Sequence, residues 1–156
     1  MAPQFWSLLV LALTFVAQQP VQTPDAPEVF TPAEKAQLAR AGKIDGRIKI
    51  YQTASERYKA AVAGQMAKHD YASVPGTLAL WSQLFTMSAK DIDASITNRK
   101  KKSGALIRYE IQVRRSITDM QAFKTAVPVD VIDHFDEWLA QAESVHQLFV
   151  DVLFPK

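Results

Sequence analysis

The chain has 156 residues, with 18 basic and 16 acidic side chains, a net charge of +2 and no cysteine. The lack of cysteine excludes disulfides, a catalytic thiolate and the attachment motif of c-type haem. A net charge this close to neutral favours no class of partner, and the length suits one domain with a hydrophobic core.

The first segment of the chain is apolar and uncharged. The first charged side chain is Asp25, and residues 5–17 are almost entirely apolar. This run is shorter than the roughly 20 residues that span a bilayer, and it is typical of the central region of a secretory signal peptide. We therefore predict that residues 1–17 are a signal peptide and that the protein is exported, to the periplasm or the medium. If the segment is not cleaved, it would tether the protein to a membrane.

The next segment, residues 18–30, contains Pro20, Pro24 and Pro27 and few apolar side chains. Proline fixes its own backbone angle and favours extended conformations in the residue before it. We expect a semi-rigid, disordered linker here, with the folded domain over residues 31–156.

The folded domain starts at a strong helix signal. Thr31 is predicted as the N-cap, Pro32 as the first helical residue and Glu34 as the partner in a capping box. Apolar residues then recur at helical spacing as far as Met66, with a possible break at residues 42–45, where glycine weakens the helix.

Three further helical stripes follow, and no segment alternates as a half-buried strand does, so the fold is predicted to be all-α. Pro75 is tolerated in the first turn of the second helix. The stripes are Val74, Leu78, Trp81, Phe85, Ile92 and Ile96; Leu106, Tyr109, Val113, Ile117, Met120 and Phe123; and Val131, Phe135, Trp138, Ala142, Val145, Phe149 and Val152.

The join at residues 98–104 has two interpretations. Lysines followed by Gly104 are typical of a helix C-terminus with a left-handed glycine cap, which predicts a turn and a four-helix up-down bundle. Apolar spacing in steps of seven favours instead one helix over residues 74–126, with two hairpins and a tendency to dimerise. We favour the turn, because Arg99 and Lys102 would otherwise occupy the apolar seam.

Charge is distributed unevenly along the last two predicted helices. Residues 99–115 hold seven basic side chains and one acidic one, whereas residues 130–151 hold six acidic ones and no Lys or Arg. The two helices are predicted to pack antiparallel with complementary charges. The sharper hypothesis is an anion-binding tip for an envelope protein or an anionic envelope component, and nucleic acid is a poor candidate because no aromatic side chains are interleaved. The tip residues are Arg99, Lys100, Lys101 and Lys102.

Histidines raise the alternative of a metal or ligand site. Glu143 and His146 have the spacing that di-iron bundles use twice, but only one copy is present. His134 lies among acidic residues whose more economical interpretation is helix capping, with Asp130 as the N-cap. The chain has no motif for a catalytic nucleophile, a phosphate loop or a dinucleotide turn, so no catalytic residue and no cofactor is predicted.

Two stretches, IDGRIKIYQTASERY at residues 44–58 and KKSGALIRYEIQVRRSI at residues 101–117, resemble exported bacterial helical proteins of no known activity. The resemblance covers most of the chain after the signal segment. It implies an all-α exported domain and transfers no site. The function expected from the sequence is therefore a non-enzymatic interaction or scaffold module of the cell envelope.

Overall fold

The computed structural model describes residues 28–98 and 102–156. Within these ranges all regular secondary structure is helical, which confirms the all-α prediction. No helix in these ranges has the length and apolar character needed to cross a membrane. The predicted signal peptide and most of the predicted linker lie outside them. The helices are α1 (Pro32–Arg40), α2 (Ile44–Ala67), α3 (Val74–Ser95), α4 (Gly104–Lys124) and α5 (Val129–Leu153).

The predicted capping box at the start of α1 is confirmed. The Thr31 hydroxyl accepts a hydrogen bond from the backbone N–H of Glu34 at 3.2 Å, and the Thr31 N–H donates to Glu34 Oε2 at 2.9 Å. Two N–H groups that have no partner within the helix are thereby satisfied. Proline also occupies the first turns of α1 and α3, as expected.

The first predicted helix is divided in two, so the described residues form five helices rather than four. Ala41 and Lys43, on either side of Gly42, both have extended backbone. Beyond the break α1 is held against α2, because Arg57 donates to both carboxylate oxygens of Glu34 at 2.9 and 3.0 Å. The sequence indicated a possible break near residues 42–45. It did not indicate the contact between Glu34 and Arg57 that holds the two resulting helices together.

The end of the predicted linker is packed on the fold. Phe30 is only 7% exposed and its ring lies 6.1 Å from that of Tyr51. The carbonyl oxygen of Val29 accepts hydrogen bonds from the Tyr58 hydroxyl at 2.6 Å and from Arg57 at 3.0 Å. Ordered structure therefore extends to residues that the sequence placed in the spacer.

The core lies between the four longer helices. α2 and α5 each contact both α3 and α4, while α1 contacts α2. At the centre the rings of Trp81 and Trp138 are 4.5 Å apart, with Phe85 beside both. Trp81 Nε1 has a partner across the helices, since it donates to Ser55 at 2.8 Å. Among the described residues the buried Nε1 of Trp138 has no hydrogen-bond partner. The predicted stripes supply most of this core.

The connection between α3 and α4 contradicts the single long helix over residues 74–126. α3 ends at Ser95, and residues 96–98 and 102–103 are not helical. Gly104 is the first residue of α4, and no glycine among the described residues has a positive φ, so the predicted left-handed cap at Gly104 is wrong. The physical reason is that Ser103 acts as the N-cap of α4, accepting from the Leu106 N–H at 3.1 Å.

The start of α5 also differs from the prediction. Pro128 is the N-cap and Asp130 lies in the first turn, without a capping hydrogen bond from a side chain. A carboxylate in the first turn still complements the positive end of the helix dipole. Asp130 therefore stabilises the same helix end by charge rather than by capping.

Candidate functional site

The α1–α2 and α3–α4 connections meet in a groove at one end of the helices. The groove has a volume of about 410 Å³ and is lined by residues 43–45 before and within α2, residues 95–98 at the end of α3 and after it, and residues 102–103 before α4. α5 ends here too, because the Lys102 ammonium nitrogen lies 4.2 Å from the centre of the Phe154 ring. We call this region, which consists of residues 43–45, 95–98, 102–103 and 154–156, the basic end.

A short hydrogen bond joins the two sides of the groove. The Ser103 hydroxyl donates to Asp45 Oδ1 at 2.7 Å while it accepts from the backbone of α4. Ser103 thus connects the start of α4 to the start of α2. Lys43 and Lys102 flank this contact, and both side chains are exposed. The structure therefore brings together two lysines that are far apart in the sequence.

A polar cluster between α2 and α3 supports the groove. Arg47 donates to both carboxylate oxygens of Asp91, at 2.7 and 3.0 Å. The hydroxyls of Tyr51 and Ser95 donate to the same carboxylate at 2.7 and 3.0 Å. Ser95 also lines the groove. A bidentate pair with two further donors fixes the position of its members, so the end of α3 is held firmly against α2.

This environment shifts the protonation of the cluster. Burial raises the pKa of Asp91, but the hydrogen bonds from Arg47, Tyr51 and Ser95 more than offset that effect, so the pKa lies below its ordinary value. Burial, followed by the hydrogen bond to Asp91, raises the pKa of the Tyr51 hydroxyl. The carboxylate is thus charged and the phenol neutral at neutral pH. All four side chains are engaged with one another, which suits support rather than chemistry.

Of the predicted anion-contact residues, the structure describes Lys102 and leaves Arg99, Lys100 and Lys101 outside the described ranges. Asn98 and Lys102, which flank them in the sequence, both line the groove. Lys156 follows the exposed Phe154 by two residues and is itself exposed. The basic end thus combines cationic side chains from the α1–α2 connection, the α3–α4 connection and the C-terminal residues.

The rest of the basic run does not face α5 in the way that the charge pattern predicted. Arg108 and Arg115 line a groove shared with α2, beside Lys59. Arg114 pairs within its own helix, at 3.3 Å from Glu110. An ion pair between α4 and α5 does join Lys124 and Asp136, at the other end of these helices. Charge complementarity between α4 and α5 is therefore confined to one end of the two helices. The described basic side chains of residues 99–115 do not take part in it.

The residues considered for metal binding are dispersed. His146 Nε2 lies 2.8 Å from Glu110 Oε1 across the α4–α5 contact, whereas Glu143 and His134 are exposed on α5. Within the described ranges no three His, Cys, Asp or Glu side chains are close enough to hold a metal ion. His146 is half-buried and follows the buried Val145 in the sequence.

Sequence reasoning missed Lys43, Asp45 and Phe154 as members of this region. Lys43 and Asp45 fell within a predicted helix, and Phe154 followed the last stripe without any charged neighbour except Lys156. The possible helix break at residues 42–45 was a signal that an exposed connection could lie here. No pattern in the sequence indicated that it would meet residue 102.

Comparison with known proteins does not assign the chain to a family. No family model matches the chain, and no curated protein and no solved structure gives a significant match.

Proposed function

We propose that this protein is a non-enzymatic helical interaction module of the cell envelope, exported to the periplasm or the medium, whose basic end binds an anionic partner. The observation that carries the proposal is the position of Lys43 and Lys102 on two sides of one groove. In the sequence, Arg99, Lys100 and Lys101 directly precede Lys102, so the chain is strongly cationic immediately before a residue that lines the groove.

The proposal treats α2 to α5 as an up-down four-helix bundle with α1 added along α2. The contacts of α2 and α5 with both α3 and α4 support that arrangement. A bundle of this kind is a rigid support for the segments at its ends. The Asp91 cluster suits the same role, because it holds two of the elements that frame the groove.

Electrostatic binding predicts a strong dependence on salt. Exposed charges separated by more than about 8 Å are largely screened at physiological ionic strength. We therefore expect binding of the anionic partner to weaken as salt rises, and to weaken further when lysines of the basic end are removed. A site that relies on buried hydrogen bonds would respond much less.

The test is capture of partners from an envelope extract by the tagged full chain, at low and at high salt. The variant replaces Lys100, Lys101 and Lys102 by alanine. A control of equal charge change replaces Lys68, Lys90 and Arg115, which are exposed outside the basic end. Loss of capture in the first variant alone supports the proposal, and equal capture by both variants and the parent protein contradicts it.

Export of the protein and removal of its predicted signal peptide can be tested separately from binding. Cell fractionation, combined with mass spectrometry of the N-terminus, locates the protein and shows whether residues 1–17 are removed. Recovery of the intact chain in the soluble cytoplasmic fraction would contradict the envelope assignment, whatever the basic end binds.

A further inference from the structure

We propose that the anionic partner of the basic end is a lipid bilayer, and that Phe154 enters the headgroup region while the surrounding lysines contact lipid phosphates. This inference rests on the proposed function, because it names the partner of the same surface. It is carried by the coincidence of an exposed aromatic ring and a group of cationic side chains.

Phe154 is unusually exposed for a phenylalanine next to the core. It is 56% exposed, although Leu153 before it is buried and α5 ends at that residue. Large exposed apolar side chains also occur at Met87 and Val129. A single exposed apolar residue is ordinary on a protein surface. Phe154 differs from the other two because the ammonium of Lys102, which also lines the groove, lies over its ring.

The contact between Lys102 and Phe154 joins the two components of a membrane-binding surface. The ammonium lies over one face of the ring at 4.2 Å. Phenylalanine is among the apolar side chains that interfacial segments bury at the boundary between headgroups and acyl chains, and lysines near an anionic bilayer are attracted to its phosphates. Because the ring and the ammonium are in contact, a single orientation of the protein on the bilayer brings the ring into the headgroup region and the ammonium to the lipid phosphates.

The acidic side chains near the basic end cancel only part of its charge. Asp45 lines the groove and offsets one of the lysines, because a hydrogen bond from the neutral Ser103 hydroxyl does not neutralise a carboxylate, whereas Asp91 is paired with Arg47. Asp93 lies along α3, where it lines a separate groove with α5 residues. Lys43, Lys102 and Lys156 remain exposed at the end itself.

An anionic glycan or an acidic protein accounts for the lysines but leaves the ring without a role. Stacking on a sugar would use the ring face that Lys102 leaves uncovered, and it would give the ammonium on the opposite face no part in the contact. A bilayer interface accepts the ring by its edge and lets the ammonium reach a phosphate, as lysines do when they extend towards an interface. The observations therefore favour lipid over the other anions.

Sedimentation of the full chain with vesicles tests this inference. One set of vesicles is phosphatidylcholine alone, and the other also contains phosphatidylglycerol. We expect binding to the anionic vesicles that is at least about tenfold tighter and that weakens with salt. Phe154→Ser should reduce the affinity by about tenfold and leave the salt dependence unchanged, because it removes an uncharged contribution.

Matched variants separate the two components. Lys43→Ala with Lys102→Ala should weaken binding and also reduce its salt dependence, whereas Lys68→Ala and Val129→Ser, which change the other end of the helices, should leave both unchanged. In Phe154→Trp, the added indole should show a blue-shifted emission with anionic vesicles only. These residues are exposed, and unchanged circular dichroism verifies the fold of each variant.

The outcomes distinguish this inference from the proposed function. Salt-sensitive capture from the envelope extract without vesicle binding would overturn the lipid assignment and leave the anionic partner in place. Vesicle binding that Phe154→Ser does not alter would overturn the insertion of the ring. Failure of both capture and vesicle binding would overturn both proposals.

Discussion

The two ends of the long helices use charged side chains in different ways. At the far end, which we define as residues 68–73 and 125–130, Asp130 lies in the first turn of α5 and complements the helix dipole. At the basic end the Asp91 cluster holds the helices together, and exposed lysines surround the groove above it. Charge at the far end thus stabilises a helix terminus, whereas the basic end has one set of charges that is paired between helices and another that is exposed.

The largest expected effect contrasts Asp91 with an exposed aspartate in α5. Asp91→Ala leaves the guanidinium of Arg47 and the hydroxyl of Tyr51 without their acceptor. We expect the free energy of unfolding to fall by about 3 kcal/mol, since losing one member of a partly buried ion pair leaves the other uncompensated. Asp133→Ala, at an exposed position near the start of α5, should cost about 0.5 kcal/mol or less. Urea denaturation measures both, and equal losses would show that the ends do not differ in this way.

Acid should weaken the Asp91 cluster. The pKa of Asp91 lies below its ordinary value in the folded protein, and that of Glu34 is also lowered, because the hydrogen bond and charge of Arg57 and the backbone of Thr31 outweigh the effect of burial. Carboxylates with lowered pKa values stabilise the fold above their unfolded pKa, and this contribution is lost as the pH falls through the folded one.

We therefore expect the unfolding free energy to decline below about pH 4, where both carboxylates take up protons. Denaturation curves collected between neutral and acidic pH measure the decline. It should be shallower in Asp91→Ala, because that variant lacks one of the two groups. An identical decline in the parent protein and the variant would show that protonation of Asp91 does not contribute to the loss of stability in acid.

A smaller effect is expected when a single hydroxyl is removed at each end. Tyr51→Phe deletes a buried donor to Asp91 and should cost about 1 kcal/mol. Tyr71→Phe deletes an exposed contact with His69 at the far end and should change the stability very little. Thermal unfolding of the two variants side by side tests the contrast. A larger loss in Tyr71→Phe would mean that the far end is the more tightly held.

Local signals predicted the helices well. The capping box at Thr31, the proline in the first turn of α3 and the apolar stripes of α3, α4 and α5 depend on neighbours within about one helical turn. They could therefore be inferred from spacing alone. One failure involves competition between two local options: at Gly104 a glycine C-cap and a serine N-cap were both compatible with the sequence, and the structure uses the second.

The candidate site was only partly predictable. The run of lysines ending at Lys102 was visible as composition, and it indicated an exposed basic segment. Lys43 and Phe154 could not be assigned to it, because they are distant in the sequence and meet Lys102 only when three chain segments converge. The same holds for Arg47 and Asp91, which are 44 residues apart.

By itself the sequence determined the helical class, the apolar faces and the uneven distribution of charge, since each follows from residue type and short-range spacing. The tertiary structure decided where the first helix divides, which side chains support the groove and that Phe154 is exposed beside Lys102. These features depend on the packing of whole helices, and packing brings together residues whose separation along the chain contains no information about their contact.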